Sequence, residues 1–171
     1  MKAINYFLTL LLIFTCFYDG QSQDQAIDYR LSWTHSVHLG DTVSIVVTVD
    51  ISDGYYIYPP GYFDESGGAP TQLLFTSQKN NHLELIGTSK MFDATGHEIA
   101  NRATGKGIKV IQLFKYQSES KKNHLVIEGD FTYQLCNEEF CHAPVSEPLT
   151  CKVLLRSKKE NKKQPLKTKK T

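Results

Sequence analysis

From Thr42 to Ile51 the chain alternates without a break: Val43, Ile45, Val47, Val49 and Ile51 take every second position, with Thr42, Ser44, Thr48 and Asp50 between them. A period of two places these sets on opposite faces of an extended segment, one suited to a core and one to water. Similar runs fall at 29–33, 73–75, 83–86, 108–116, 125–135 and 149–155. Turn-forming clusters separate them: His38-Leu-Gly-Asp41, Ser52-Asp-Gly54, Gly67-Gly-Ala-Pro70, Lys79-Asn-Asn81 and Gly105-Lys-Gly107. No long segment carries apolar residues at helical spacing. Seven or eight short strands joined by turns predict an all-β fold, an antiparallel immunoglobulin-like β-sandwich over residues 27–155. A chain of 171 residues has room for one such domain.

Charge divides the chain. The formal net charge is +1, but residues 24–151 hold nine basic and sixteen acidic side chains, a balance of −7. Residues 152–171 hold nine basic ones against Glu160 alone, a balance of +8. An acidic folded part argues against a nucleic-acid-binding core. From Ser157 the chain is rich in Lys, Asn, Gln and Thr, and residues 157–171 read as a disordered basic tail. Such a tail either only solubilises the domain or makes weak contact with an anionic membrane surface.

At the other end, Lys2 precedes an apolar run from Tyr6 to Phe17 and a polar stretch from Tyr18 to Gln23. This is the pattern of a signal peptide over residues 1–22, and it implies a periplasmic or secreted protein. Acylation at Cys16, as in a lipoprotein, is disfavoured because Phe14 and Thr15 replace the small residues such a site needs. No later segment approaches the roughly 20 apolar residues of a membrane-spanning helix.

Export changes how the cysteines read. Cys136, Cys141 and Cys151 remain after the signal, and in an oxidising compartment the close pair is expected to form a disulfide. Four residues separate Cys136 from Cys141, placing them at facing ends of a β-hairpin. A staple over so short a loop gains only about 2 kcal/mol in the chain-entropy model. A short bridge beside an exposed turn is also open to an attacking thiolate, as a redox carrier requires. Spacing leaves both roles open. Glu138 and Glu139 inside the loop disfavour a thiolate, and a protonated His142 beside Cys141 favours one. Zinc on Cys136, Cys141, His142 and Cys151 is disfavoured, because the usual spaced ligand pairs are absent and adjacent Cys141 and His142 fit one tetrahedral ion poorly. Cys151 shares a strand face with Leu149, Val153 and Leu155 and reads as a buried filler.

A second cluster is aromatic: Asp53-Gly-Tyr-Tyr-Ile-Tyr-Pro-Pro-Gly-Tyr-Phe63. Tyr56 and Tyr58, two apart, project to the same side of an extended segment. They suit either a face that packs over a disulfide and meets a partner or an ordinary core edge.

The segment from Asp53 to Tyr58, followed in order by Tyr133-Gln-Leu-Cys136 and Phe140-Cys141-His-Ala-Pro144, resembles the periplasmic N-terminal domain of the thiol:disulfide interchange protein DsbD family. The resemblance spans about residues 27–155. It implies an electron relay that takes reducing equivalents from a membrane-embedded donor and passes them to exported thioredoxin-fold proteins, including those serving cytochrome c biogenesis. On that model Cys141 forms the mixed disulfide, Cys136 resolves it, and no cofactor is needed. Tyr56, Tyr58, Phe92, Glu139 and His142 would line the active site, with Met91, Phe92 and Asp93 as cap residues.

Three departures stand out. The family's familiar members have five residues between the cysteines rather than four. The cap region aligns loosely with residues 90–97. The membrane and thioredoxin-like domains of that family have no counterpart in this sequence, so the donor is expected on a separate polypeptide. The rival reading is a non-catalytic β-sandwich that binds protein or glycan through the patch from Tyr55 to Phe63, with a purely structural disulfide.

Overall fold

A computed structural model describes residues 26–62, 68–76 and 82–156. The expected signal peptide and basic tail lie outside the described residues. Eight strands are described: β1 Ile27–Trp33, β2 Ser36–Val37, β3 Thr42–Ile51, β4 Gln72–Phe75, β5 Leu83–Phe92, β6 Ile108–Tyr116, β7 His124–Tyr133 and β8 Val145–Leu155. They form two four-stranded sheets, ordered β1-β3-β6-β5 and β2-β8-β7-β4. The fold is an immunoglobulin-like β-sandwich. All pairings are antiparallel except β2 with β8, where Ser36 and Val37 run parallel to Leu154 and Leu155.

The alternation of β3 does what period two requires. Val43, Ile45, Val47, Val49 and Ile51 are buried, and the residues between them, Val46 included, are not; each burial contributes about 1.5–3 kcal/mol. β6 turns Ile108, Val110, Gln112, Phe114 and Tyr116 inward, and β7 turns Leu125, Ile127, Phe131 and Tyr133 inward. The core has two parts along the strands. One, at the end where β7 leads into the cysteine hairpin, gathers Ile57, Met91, Ile108, Phe131, Tyr133 and Leu135. The other, at the opposite end, gathers Val43, Ile45, Phe114, Ile127, Cys151 and Val153. Trp33 ties the sheets together by donating its indole N–H to the carbonyl of Lys152 at 3.0 Å.

β5 runs further than its alternation indicates. Its register with β6 shifts between Ile86 and Lys90, and pairing resumes from Lys90 to Phe92. Gln112, buried on the facing strand, holds this bulge. Its Oε1 accepts from the Ser89 hydroxyl at 2.8 Å, and its Nε2 donates to the carbonyls of Ile86 and Leu113. A buried amide satisfied on both sides costs little, whereas an unsatisfied one would be expensive.

Candidate functional site: a one-sided disulfide on a hydrogen-bonded hairpin

The chain leaves β3 through the turn Ser52-Asp-Gly-Tyr55, closed by the Tyr55 amide donating to the carbonyl of Ser52. Gly54 sits at φ 84°, a conformation that needs glycine. Tyr56, Ile57 and Tyr58 then pair as single bridges with Cys136, Ala103 and Pro70 respectively. Three loops converge on this short extended piece: 134–142, 99–107 and 68–71. Gly68 is required there, because a Cβ at that position would run into the Tyr58 ring.

Cys136 and Cys141 are joined, with Cα atoms 4.0 Å apart. The two halves of the bond differ. Cys136 is fully buried (0% exposed) in a cluster with Tyr56 and Tyr58, against which Tyr62 packs. Cys141 is exposed, as is the neighbouring Phe140. His142, half-buried, lies between two rings, 4.9 Å from Phe140 and 6.1 Å from Tyr55 by centroid. An incoming group therefore meets Cys141, flanked in the chain by Phe140 and His142, and finds Cys136 behind tyrosine.

Tyr56 and Tyr58 do project to one side, with ring centroids 5.4 Å apart, and Tyr58 stacks on Tyr62 at 4.4 Å. They face inward, at 7% and 2% exposure. Of the patch from Tyr55 to Phe63, Tyr55 and Tyr62 are partly exposed, and Phe63 lies outside the described residues. Burial and then the Tyr58 phenol push the Tyr56 hydroxyl above its ordinary pKa, so it stays protonated at neutral pH. It donates to the carbonyl of Asn137 at 3.2 Å.

Arg102 is a site residue that no motif announces. The bridge between Ile57 and Ala103 brings its loop to the site. Its guanidinium carbon lies 4.3 Å from the Tyr56 ring centroid, and Nη1 meets the Glu138 carboxylate at 2.9 Å. Glu138 thus has a cation beside it, whereas Glu139 is exposed and its amide donates to the side chain of Asn137.

The expected cap residues sit elsewhere. Met91 is buried in the main core. Phe92, half-buried, pairs with Lys109 and Glu98 and is not among the residues clustered with Cys136. Asp93 closes its own turn, its carboxylate held below the usual range by the Thr95 hydroxyl and then the His97 amide. In this chain Tyr56, Tyr58 and Tyr62 pack around the buried cysteine.

Cys151 belongs to the distal core, paired with Ile127 and fully buried. Burial pushes its thiol up to about 11. It is therefore separated from the disulfide, and the four zinc-ligand candidates are not brought together.

No family model and no curated protein matches this chain. Among solved structures, it is similar to the N-terminal periplasmic domain of ScsB from Proteus mirabilis, with 16% identity and a TM-score of 0.45 over 78% of this chain. It is also similar to a cohesin module from a Clostridium perfringens family 33 glycoside hydrolase, with 11% identity and a TM-score of 0.42 over 78% of this chain. The chain spans 98% of the cohesin module and 48% of the ScsB chain.

Proposed function

We propose that this chain is an exported thiol–disulfide exchange domain that relays electrons to thioredoxin-fold partners through Cys136 and Cys141. The observation that supports this reading is the one-sided exposure of the bond, with Cys141 at the surface and Cys136 buried. A staple has no need of an accessible sulfur, whereas exchange by thiolate attack does.

The chemistry balances on the sulfurs alone. A donor thiolate attacks Sγ of Cys141, the intramolecular S–S bond breaks, and Cys136 leaves as a thiolate that takes up a proton. A second donor thiolate attacks the donor sulfur of the mixed disulfide and expels Cys141. The donor is now a disulfide, and this chain has gained two electrons and two protons. Passing them on reverses the order: Cys141 attacks the partner's disulfide, and Cys136 attacks Cys141 to release the partner as a dithiol. The donor is a separate membrane-embedded protein, and the domain works in the periplasm or outside the cell, where a disulfide persists. Tyr56 and Tyr58 back the buried sulfur, while Glu139, His142 and the Phe140 ring rim the exposed one.

The test is the reduction potential of the pair in thiol buffers, with alkylated thiols counted by mass spectrometry. A potential above about −300 mV and a partner-trapping Cys136→Ala variant are expected. A bond that stays oxidised well below that, with no mixed disulfide on Cys141, would leave only the staple.

A further inference from the structure

The hairpin that carries the cysteines is held by hydrogen bonds that do not involve sulfur. Tyr56 and Cys136 exchange both backbone bonds at 2.9 Å. The His142 amide donates to Leu135 and the Asn137 amide to Phe140, each at 2.9 Å. The side chain of Asn137 closes the turn from inside, its Oδ1 accepting from the amides of Glu139 at 2.9 Å and Phe140 at 2.8 Å. Gln134, only 8% exposed, fixes the outgoing strand. Its Nε2 donates to the His142 carbonyl at 2.9 Å, and its Oε1 accepts from the Ala69 amide at 2.5 Å. Asn137 thus sets the turn between the cysteines, and Gln134 anchors the residue that follows Cys141 to a neighbouring loop.

We propose that Gln134 and Asn137 are positioning residues that keep Cys141 opposite Cys136 in both oxidation states, so that the disulfide opens and closes without the hairpin coming apart. This rests on the exchange reading of the same site. The step it serves is closure: the Cys136 thiolate attacks Sγ of Cys141 in the mixed disulfide, forms the intramolecular bond and expels the partner's thiolate, which takes up a proton. Holding the attacking sulfur in line turns this displacement into a pre-oriented intramolecular one. The same order in the dithiol favours the disulfide at equilibrium, because less freedom is lost when the bond forms.

The experiment compares oxidation equilibria of the full chain in glutathione buffers, with dithiothreitol for a tighter bond. Asn137→Ala is expected to lower the oxidation equilibrium constant about tenfold, a rise of about 30 mV in potential. Asn137→Asp keeps the Oδ acceptors and is expected to restore it to within about twofold of the native value. Gln134→Leu, which removes both its bond to the His142 carbonyl and its bond from the Ala69 amide, is expected to lower it about threefold. Asn137 lies in a surface turn, so its variants decide the matter if Gln134→Leu fails to fold. A folded Asn137→Ala with an equilibrium constant within twofold of native, or a reduced native chain whose 137–142 amide resonances collapse to random-coil positions, would overturn the proposal. Failure of the relay reading looks different: the native pair equilibrates with small thiols, the variants still shift it, but no thioredoxin-fold protein exchanges with it.

Discussion

The two ends of the sandwich treat sulfur in opposite ways. At one end Cys151 is sealed among Val43, Ile45, Phe114, Ile127 and Val153, with its thiol pKa pushed up to about 11. At the other, the sheets give way to three loops, and the disulfide joins a cysteine buried beside tyrosine to an exposed one. Strands and aliphatic side chains surround the first, a polar hairpin and aromatic rings the second. The exposure of each cysteine follows from how the chain closes that end of its core, not from the number of cysteines.

The comparison is broken most completely at the exposed sulfur. Cys141→Ser is expected to abolish exchange with a dithiol partner, scored by alkylation, while Cys151→Ala leaves the rate unchanged. Next in size is Phe131→Ala, which empties a fully buried site between Tyr29 and Tyr133. It is expected to cost about 3–5 kcal/mol in denaturant unfolding and, lying behind the hairpin, to loosen the disulfide end more than the distal one in amide exchange. The third concerns alkaline pH. The folded pKa of Cys151 is raised from 9.0 to about 11, so between these values the unfolded chain loses a proton that the folded chain keeps. Stability is fully present below pH 9 and falls by about 2–3 kcal/mol as pH rises towards 11. Unfolding curves of native and Cys151→Ala chains across that range would show it, the variant lacking this component of the slope. The smallest effect is expected at Arg102. Its ion pair with Glu138 is largely exposed, at 43% and 80% of the side chains, so Arg102→Ala is expected to shift the unfolding midpoint little while making the turn between the cysteines more acidic.

Much of this contrast is legible in the chain. The alternation of β3, β6 and β7 specifies their inner faces outright, and Cys151 shares its spacing with apolar neighbours, so its burial follows. The four-residue gap foretells the hairpin disulfide. What escapes has local causes. The far half of β5 follows a bulge at Gly87-Thr88-Ser89, where alternation is interrupted and Gln112 supplies the missing order from another strand. The early part of β8 contains Pro148, which argues against a central strand. Pro148 is tolerated because β2 covers only Leu154 and Leu155, leaving the rest of that side of β8 unpaired among the described residues. Arg102 belongs to no pattern, since it arrives through the bridge between Ile57 and Ala103. The expected cap rests on a loose alignment, and the tyrosine cluster carries in its spacing no sign of which way its shared face turns, inward behind Cys136.

The bulge in β5 bears on how this molecule behaves in company. β5 is the outer strand of its sheet, ten residues long, with Leu85 and Ile86 exposed. A flat strand of that kind offers a row of free amides and carbonyls to the same strand of another copy. The shift between Ile86 and Lys90 breaks the row, and Lys90 with Glu98 places charge just beyond the break. Interrupted, twisted and charged edges resist strand-to-strand polymerisation. Gln112, by securing the bulge from inside, thereby holds the break that keeps this edge from presenting an unbroken row to a second copy.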